Sequence, residues 1–422
     1  MKTALLHYWL TNMRGGEKVF AALGEMLPEA DVFTHALGAK MRDCGPLGDR
    51  PLPPGVESCG VGTRRPTIWG HAVKESWISR LPMGRRMPQA YVWLMPYASR
   101  MLDLRKYELI VSSESGPIKG ITKRPDQRHV CYCHSPMRYV WDMYDQYYAA
   151  AGLGGKIAMK IFRKHLQYHD LKSAESVDQF VANSRFIAER IKRIYGRESV
   201  VVHPPVDVEF FSGGEGGHAK REACFEGSER SEPEGCASSC GRVTPPFEPG
   251  SYYLYSGELR AYKRPDMAVE ACARMGKKLV VIGNGKMRYE LEKRVGGNQD
   301  VKFLGRVSDE VLKATYANAK ALLFPGVEDF GIVPVEAQAA GTPVIALGKG
   351  GALDSVVEGE TGLFYEEESV DGLCGAIEAF ESSAGLLSTA LAAVADRCRE
   401  NAKRFSKAYF VRAMEKVLRG NG

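Results

Sequence analysis

Short, near-continuously apolar runs alternate with longer helical patterns along almost all of the 422 residues, and that alternation leaves few architectures open. TALLHYWL is followed by GEKVFAALGEML and DVFTHAL, and YELIVSSES, RHVCYCHS, DQFVANS and SVVVHPPV continue the first half. The second half repeats the grammar with SYYLYSGEL, KKLVVIGNG, DVKFLGRV, ALLFPG and TPVIALG. Helical patterns such as RPDMAVEACARMG, DEVLKATYANA and VPVEAQAAG separate these runs. Strands that are apolar on both faces belong to parallel sheets covered by helices on both sides. Two such series in succession predict two doubly wound α/β domains. The length agrees, since cores seldom grow beyond about 250–300 residues before a chain splits.

Composition marks the boundary. From Gly213 to Gly250 the chain is rich in Gly, Ser, Pro and Glu and poor in large aliphatic residues. Such a segment buries too little apolar area to offset its ordering entropy. The expected organisation is a first domain over 1–212, a flexible linker or surface insertion over 213–250, and a second domain over 251–405. The final stretch, RFSKAYFVRAMEKVLRG, has a helical period. A helix over about 406–422 would pack in its own domain or cross back to the first.

No stretch reaches the roughly 18 consecutive apolar residues of a membrane-spanning helix. At the N-terminus His7 interrupts the apolar run and no small-residue cleavage site precedes MRGGEK, so a buried first strand is expected rather than a signal peptide. Ten cysteines in a chain this long do not suggest a disulfide framework. Cys131, Cys133 and His134 lack a second ligand pair at zinc spacing, so reduced core thiols are expected and no metal site. Cys224, Cys236 and Cys240 lie in the polar segment and carry little weight. The net charge of +6 is uneven: residues 1–212 hold 30 Lys and Arg against 21 Asp and Glu. The rest of the chain is slightly acidic.

The stretch richest in chemistry is ALLFPGVEDFGIVPVEAQAAGTPVIALG, from Ala321 to Gly348. A buried strand over Ala321–Pro325 ends in a polar loop, and a helix starts near Ile332–Pro334. Ligands of open α/β sheets bind beyond the carboxyl ends of the strands, which is where this loop falls. The helix start offers backbone N–H groups and a partial positive charge to a phosphate. Glu328 stands in the loop and Glu336 one turn into the helix; ionised carboxylates suit the paired hydroxyls of a sugar. In SGELRAYKRPDMAVEA, Arg260, Lys263 and Arg264 cluster between a strand end and a helix start, the placement of a diphosphate clamp. Gly15 and Gly16 sit between the first strand and first helix, where paired glycines admit a ligand. His134 ends a strand and is followed by five aromatics in HSPMRYVWDMYDQYY. It lines a sugar pocket or is a satisfied core histidine; both readings stand. GNGKMR lacks the third glycine of a dinucleotide fingerprint, and ALGKGG lacks Walker A spacing. No zinc-finger or RNP motif points to nucleic acid.

Together these residues resemble the retaining family 4 glycosyltransferases of the GT-B fold, over nearly the whole chain except Gly213–Gly250. The most specific part is EDFGIVPVE, similar to the family's two-glutamate motif; VVIGNG, KFLGRVSDEVLKATYANA, GGALDSVVEGETGLFY and VANSRFIAERI stand in the family's order. RGGEKV and YCHSPMRYVWD are similar to bacterial enzymes of exopolysaccharide or O-antigen assembly, often mannosyltransferases using GDP-mannose. The resemblance implies two Rossmann-like domains facing a cleft. It implies that Glu336 holds the nucleotide ribose, and that Glu328 with the backbone of Phe330, Gly331 and Ile332 holds the donor sugar. Lys263 with a neighbouring arginine such as Arg260 would neutralise the diphosphate. Gly15 and Gly16 would approach it from the other domain, and His134 would contact the sugar near the reacting carbon. Two departures stand out: Glu258 occupies a position where the family usually has arginine, and HYW replaces the more frequent HDW, leaving Tyr8 in place of an acid.

The resemblance implies no cofactor and no metal, the nucleotide sugar being a substrate, and a lipid-linked or oligosaccharide acceptor. No Asp-x-Asp signature stands at a strand end, in keeping with metal independence. The basic first half suggests peripheral contact of a cytoplasmic protein with an anionic membrane, through Arg64–Arg65, Arg85–Arg86, or the amphipathic KIAMKIFRKHLQ with Lys156, Lys160, Arg163 and Lys164. A GT-B epimerase or hydrolase, or a non-catalytic nucleotide-sugar-binding subunit, would share the donor site.

Overall fold

The computed structural model describes residues 2–41, 67–213, 246–382 and 391–420. Arg64, Arg65, Cys224, Cys236, Cys240 and most of the expected insertion lie outside them. The chain divides into two compact units, Met1–Pro205 with Lys407–Gly422, and Val206–Ser406.

The first unit is built on an eight-stranded sheet: β1 (Thr3–His7), β2 (Asp31–Thr34), β3 (Thr67–Ile68), β4 (His71–Glu75), β5 (Leu109–Glu114), β6 (Arg128–Cys133), β7 (Gln179–Ala182) and β8 (Ser199–Val201). Their order is β3-β4-β2-β1-β5-β6-β7-β8, parallel except for the β3–β4 hairpin. All five residues of β1 are buried, as a central strand covered on both faces requires. The sheet runs outward in opposite directions from β1 and β5, so its switch point lies between them. β4 escaped the sequence pattern because Lys74 and Glu75 break its apolar run.

After β1 the helix Gly15–Met26 opens with Arg14, whose N–H donates to Glu17 Oε2 at 3.1 Å. Gly15 and Gly16 are thus its first residues rather than a free loop. Val19, Phe20 and Leu23 share one apolar core with Leu5, Val32 and Val111. The terminal helix Lys407–Arg419 joins that same core through Phe410, Met414 and Val417. Arg128 donates to the carbonyls of Val417 (2.6 Å) and Leu418, and Lys407 pairs with Glu25.

The first unit ends seven residues earlier than position 212. Val206, Val208 and Phe211 pack with Tyr252, Tyr316 and Phe405 of the second unit, and Val206 N–H donates to Phe405 O at 2.9 Å. Apolar burial, not the polar segment that follows, therefore sets the boundary.

The second sheet contains β9 (Tyr252–Ser256), β10 (Lys278–Ile282), β11 (Val301–Gly305), β12 (Ala321–Phe324), β13 (Val344–Leu347) and β14 (Gly362–Tyr365). The order β11-β10-β9-β12-β13-β14 is wholly parallel, with its switch point between β9 and β12. The loop after β9, which carries the cations, and the loop after β12, which carries Glu328 and leads into the helix of Glu336, are neighbours for that reason alone.

Candidate active site

At the second unit's switch point Lys263 Nζ donates to Glu328 Oε1 at 2.6 Å. Burial works against the lysine's charge, but the adjacent carboxylate outweighs it, and its pKa is raised. Lys263 therefore stays cationic in a poorly hydrated place, where its charge is worth most to an anion. The two loops meet closely: a Cβ at Gly326 would lie 2.6 Å from Lys263 Cα, so only glycine fits. Gly331 caps the helix Ile332–Ala339 at φ +80° with no side-chain cap, and a Cβ there would lie 2.8 Å from Phe324 Cζ. The helix thus presents backbone N–H groups beside the ion pair. Phe330 turns its ring into the core against Phe405 (centroids 5.6 Å apart).

Glu336, 8% exposed, is held by a residue that sequence reasoning missed. The Tyr316 hydroxyl donates to Glu336 Oε2 at 3.2 Å and lies 3.2 Å from Ser256 Oγ, whose own proton can return the bond. Burial, then the glutamate's charge, pushes the Tyr316 phenol well above its ordinary pKa, so it remains a donor. The signal was faint: a tyrosine near the end of the Asp309–Ala317 helix, twenty residues before its partner.

The two candidate arginines are already engaged. Arg260 Nε pairs with Glu258 Oε1 at 2.7 Å. Arg264, in the left-handed region at φ +52°, binds Asp266 and Glu368 at 3.1 Å each. Lys263 is therefore the cation beside Glu328, while Arg260 pairs within its own loop.

In the first unit the switch point gathers His7, Ser113, Glu114 and His134 at the ends of β1, β5 and β6. His134 Nε2 lies 2.8 Å from Ser113 Oγ, and a Cβ at Gly16 would sit 3.5 Å from the same nitrogen. Gly16 and His134, read separately in the sequence, thus belong to one place. Burial, with the charges of His7 and Arg138, lowers the His134 pKa to about 3, so the imidazole is neutral at physiological pH. His7 is fully buried, and neither ring nitrogen has a hydrogen-bond partner among the described residues; Glu17 Oε1 stands 3.9 Å away. Burial foremost raises the Tyr8 phenol, so Tyr8 does not replace the missing acid as an anion. Of the five aromatics, Trp141 Nε1 donates to buried Asp170 at 2.8 Å, while Tyr144 and Tyr148 stack 5.7 Å apart beside Arg163 and Lys156.

Residues 13–210 match the family model described as Glycosyltransferase Family 4, and residues 242–405 the one described as Glycosyl transferases group 1. Over those two regions the chain is similar to these glycosyltransferases. Anabaena HepE, solved in complex with UDP, superposes over the whole of both chains at TM-score 0.63 and 15% identity. Sucrose-phosphate synthase of Thermosynechococcus elongatus covers 100% of this chain and 99% of its own at TM-score 0.64 and 17% identity. These likenesses place the chain in the GT-B fold. The D-inositol 3-phosphate glycosyltransferase of Kribbella flavida is 28% identical over 236 residues, 51% of each chain. The chain therefore spans about half the length of the curated relatives it matches.

Proposed function

We propose that this glycosyltransferase moves a hexose, with retention, from a nucleotide sugar to a lipid-linked or polysaccharide acceptor, and that the donor is GDP-mannose. The observation that carries the donor site is the Lys263–Glu328 ion pair beside an uncapped helix start, with the Tyr316-held Glu336 on the same helix. Glu336 takes the ribose hydroxyls, and the helix start with Lys263 takes the diphosphate. Glu328 shares Lys263 with the donor sugar's hydroxyls. The bond from the anomeric carbon to the diphosphate breaks and one to the acceptor oxygen forms on the same face; the acceptor's proton passes to the leaving diphosphate. Charge on that leaving group is what these groups stabilise. Neutral His134 hydrogen-bonds the sugar. The reading needs no cofactor and no metal.

Thermal unfolding with a panel of nucleotide sugars tests it, since a ligand at 100 times its Kd stabilises by ~2.7 kcal/mol. GDP-mannose is expected to raise the Tm. A shift with UDP-sugars alone, the nucleotide present in HepE, would replace the mannose assignment.

The acceptor side is proposed to work at the cytoplasmic face of an anionic membrane. Along the helix Leu153–Ala174, Leu153, Ile157, Ile161, Tyr168 and Leu171 are exposed, with exposed Lys160 and Lys164 among them and a single acid, the buried Asp170. Arg163 is not part of this face: it binds Val140 O and covers the Tyr144 ring. No helix among the described residues is long and apolar enough to cross a membrane. Each basic residue at such a surface contributes ~1 kcal/mol, so Lys160→Gln/Lys164→Gln is expected to weaken binding to phosphatidylglycerol vesicles by about tenfold or more. Unchanged vesicle binding would remove this helix from the account.

A further inference from the structure

A carboxylate stands where the proposed donor site calls for positive charge. Glu258 follows Gly257 at the carboxyl end of β9 and pairs with Arg260, whose backbone N–H also donates to Glu258 O at 2.8 Å. The pair is local and half hydrated, its side chains 37% and 43% exposed. Ion pairs of that kind are weak and exchange partners readily. Lys263, three residues on, is committed to Glu328. Both cations nearest the expected diphosphate thus have a carboxylate beside them, and only Lys263's partner has a task in the transfer.

The chemistry of the reaction gives Glu258 one. The diphosphate of a nucleotide sugar is esterified at both ends and carries about two negative charges. The released nucleoside diphosphate has a free terminal phosphate whose second ionisation lies near pH 6, so above that pH it approaches three. A fixed negative charge beside the site therefore disfavours the product more than the substrate.

We propose that Glu258 is a product-release residue: it yields Arg260 to the donor diphosphate, then opposes the extra charge of the nucleoside diphosphate and reclaims Arg260 as the product leaves. This rests on the donor-site reading above. Glu258 acts through charge and through Arg260, so it is a positioning residue rather than a catalytic one.

Titration calorimetry of the full chain with UDP, GDP and the corresponding nucleotide sugars tests the proposal. Glu258→Gln keeps the shape and removes the charge. At pH 7.5 it is expected to tighten binding of the nucleoside diphosphate about fivefold or more, and of the nucleotide sugar about twofold. The difference should shrink at pH 5.5, where the terminal phosphate takes up a proton, and in high salt, which screens exposed charges. Product inhibition during turnover should deepen in parallel. Equal tightening of both ligands, no tightening, or a difference independent of pH would overturn the proposal. Lys263→Ala separates the two layers. If it binds UDP and GDP as well as the native chain does, the donor site is misplaced and the release role falls with it. If Lys263→Ala loses binding while Glu258→Gln changes nothing, the release role alone is wrong.

Discussion

Glu328→Gln is expected to lower turnover at least ~100-fold while the protein remains folded, the order seen when a single preorganised electrostatic contact is removed from an active site. The amide keeps the side chain's size and one acceptor for Lys263 Nζ, 2.6 Å away in the native pair. Losing the charge-assisted bond should reduce stability by about 1–2 kcal/mol, too little to unfold a domain of this size. The kinetic loss has two sources: the sugar hydroxyls lose an ionised acceptor, and Lys263 keeps only a neutral, weaker partner to orient it. Initial-rate assays, paired with denaturation curves showing a cooperative fold, make the measurement. Turnover within threefold of native in a folded variant would remove Glu328 from the site.

The second large effect is acid lability confined to the first unit. His35, His129 and His134 are buried there, and burial foremost lowers their pKa values to about 3, 4 and 3. Each is neutral in the fold but takes a proton at its ordinary pKa near 6.5 when unfolded. Their stabilisation is therefore present above pH 6.5 and is lost as the pH falls. Glu114 works the other way. Burial leads in raising its carboxyl to about 7, against the pull of buried Lys119, which lies 3.0 Å from Glu114 and 2.6 Å from Asp170. Its contribution is complete below the ordinary carboxylate range and is lost as the pH rises through 7. Between pH 6.5 and 4.5 the unfolded first unit thus binds up to about two more protons than the folded one, worth about 2–3 kcal/mol per pH unit at the steepest. In the second unit, partial burial of Glu381 is outweighed by Lys277, Lys320 and Tyr253, which hold its carboxyl down to about 2. That stabilisation persists until the pH drops below the ordinary carboxylate range.

All five tryptophans, Trp9, Trp69, Trp77, Trp93 and Trp141, lie in the first unit, so their emission reports on it alone. Urea unfolding followed by tryptophan emission is expected to show a midpoint that falls markedly from pH 7.5 to pH 5, while ligand-induced protection of the second unit survives. A midpoint that holds or rises on acidification would show that the three histidines are not neutral in the fold.

The cluster at the second unit's switch point was legible because its pieces are local in the chain. Strand, acidic loop and helix start occupy Ala321 to Glu336 without interruption, and the parallel order of the sheet then brings Lys263 to Glu328. What stayed hidden depends on partners distant in sequence. Tyr316 matters because Glu336 and Ser256 converge on it, and Ser113 because β5 lies beside β6, which His134 directly follows. The amphipathic period of Lys407–Arg419 announced a helix, but not that its apolar face would meet Phe20 and Tyr132 rather than the domain preceding it. The domain boundary slipped for the same reason. Phe211 looked like the end of the first domain until Tyr316 supplied a T-shaped ring contact, centroids 5.7 Å apart, in the second. Glu258 was legible as a departure, yet its pairing with Arg260 is a property of the fold.

A nucleotide sugar is expected to bind at the second unit's switch point with its ribose on Glu336. Binding isotherms of the preferred nucleotide sugar on the native chain, Tyr316→Phe and Glu336→Ala test it most directly. Loss of a charged, hydrogen-bonded acceptor is worth about 1.5–3 kcal/mol, so Glu336→Ala should weaken binding by roughly 10- to 100-fold. Tyr316→Phe, which removes the bond that aims the carboxylate together with the one to Ser256 but keeps the carboxylate, should weaken it by a few fold. A free nucleobase should bind all three chains alike. Equal affinity of the nucleotide sugar for the native chain and Glu336→Ala would contradict the account.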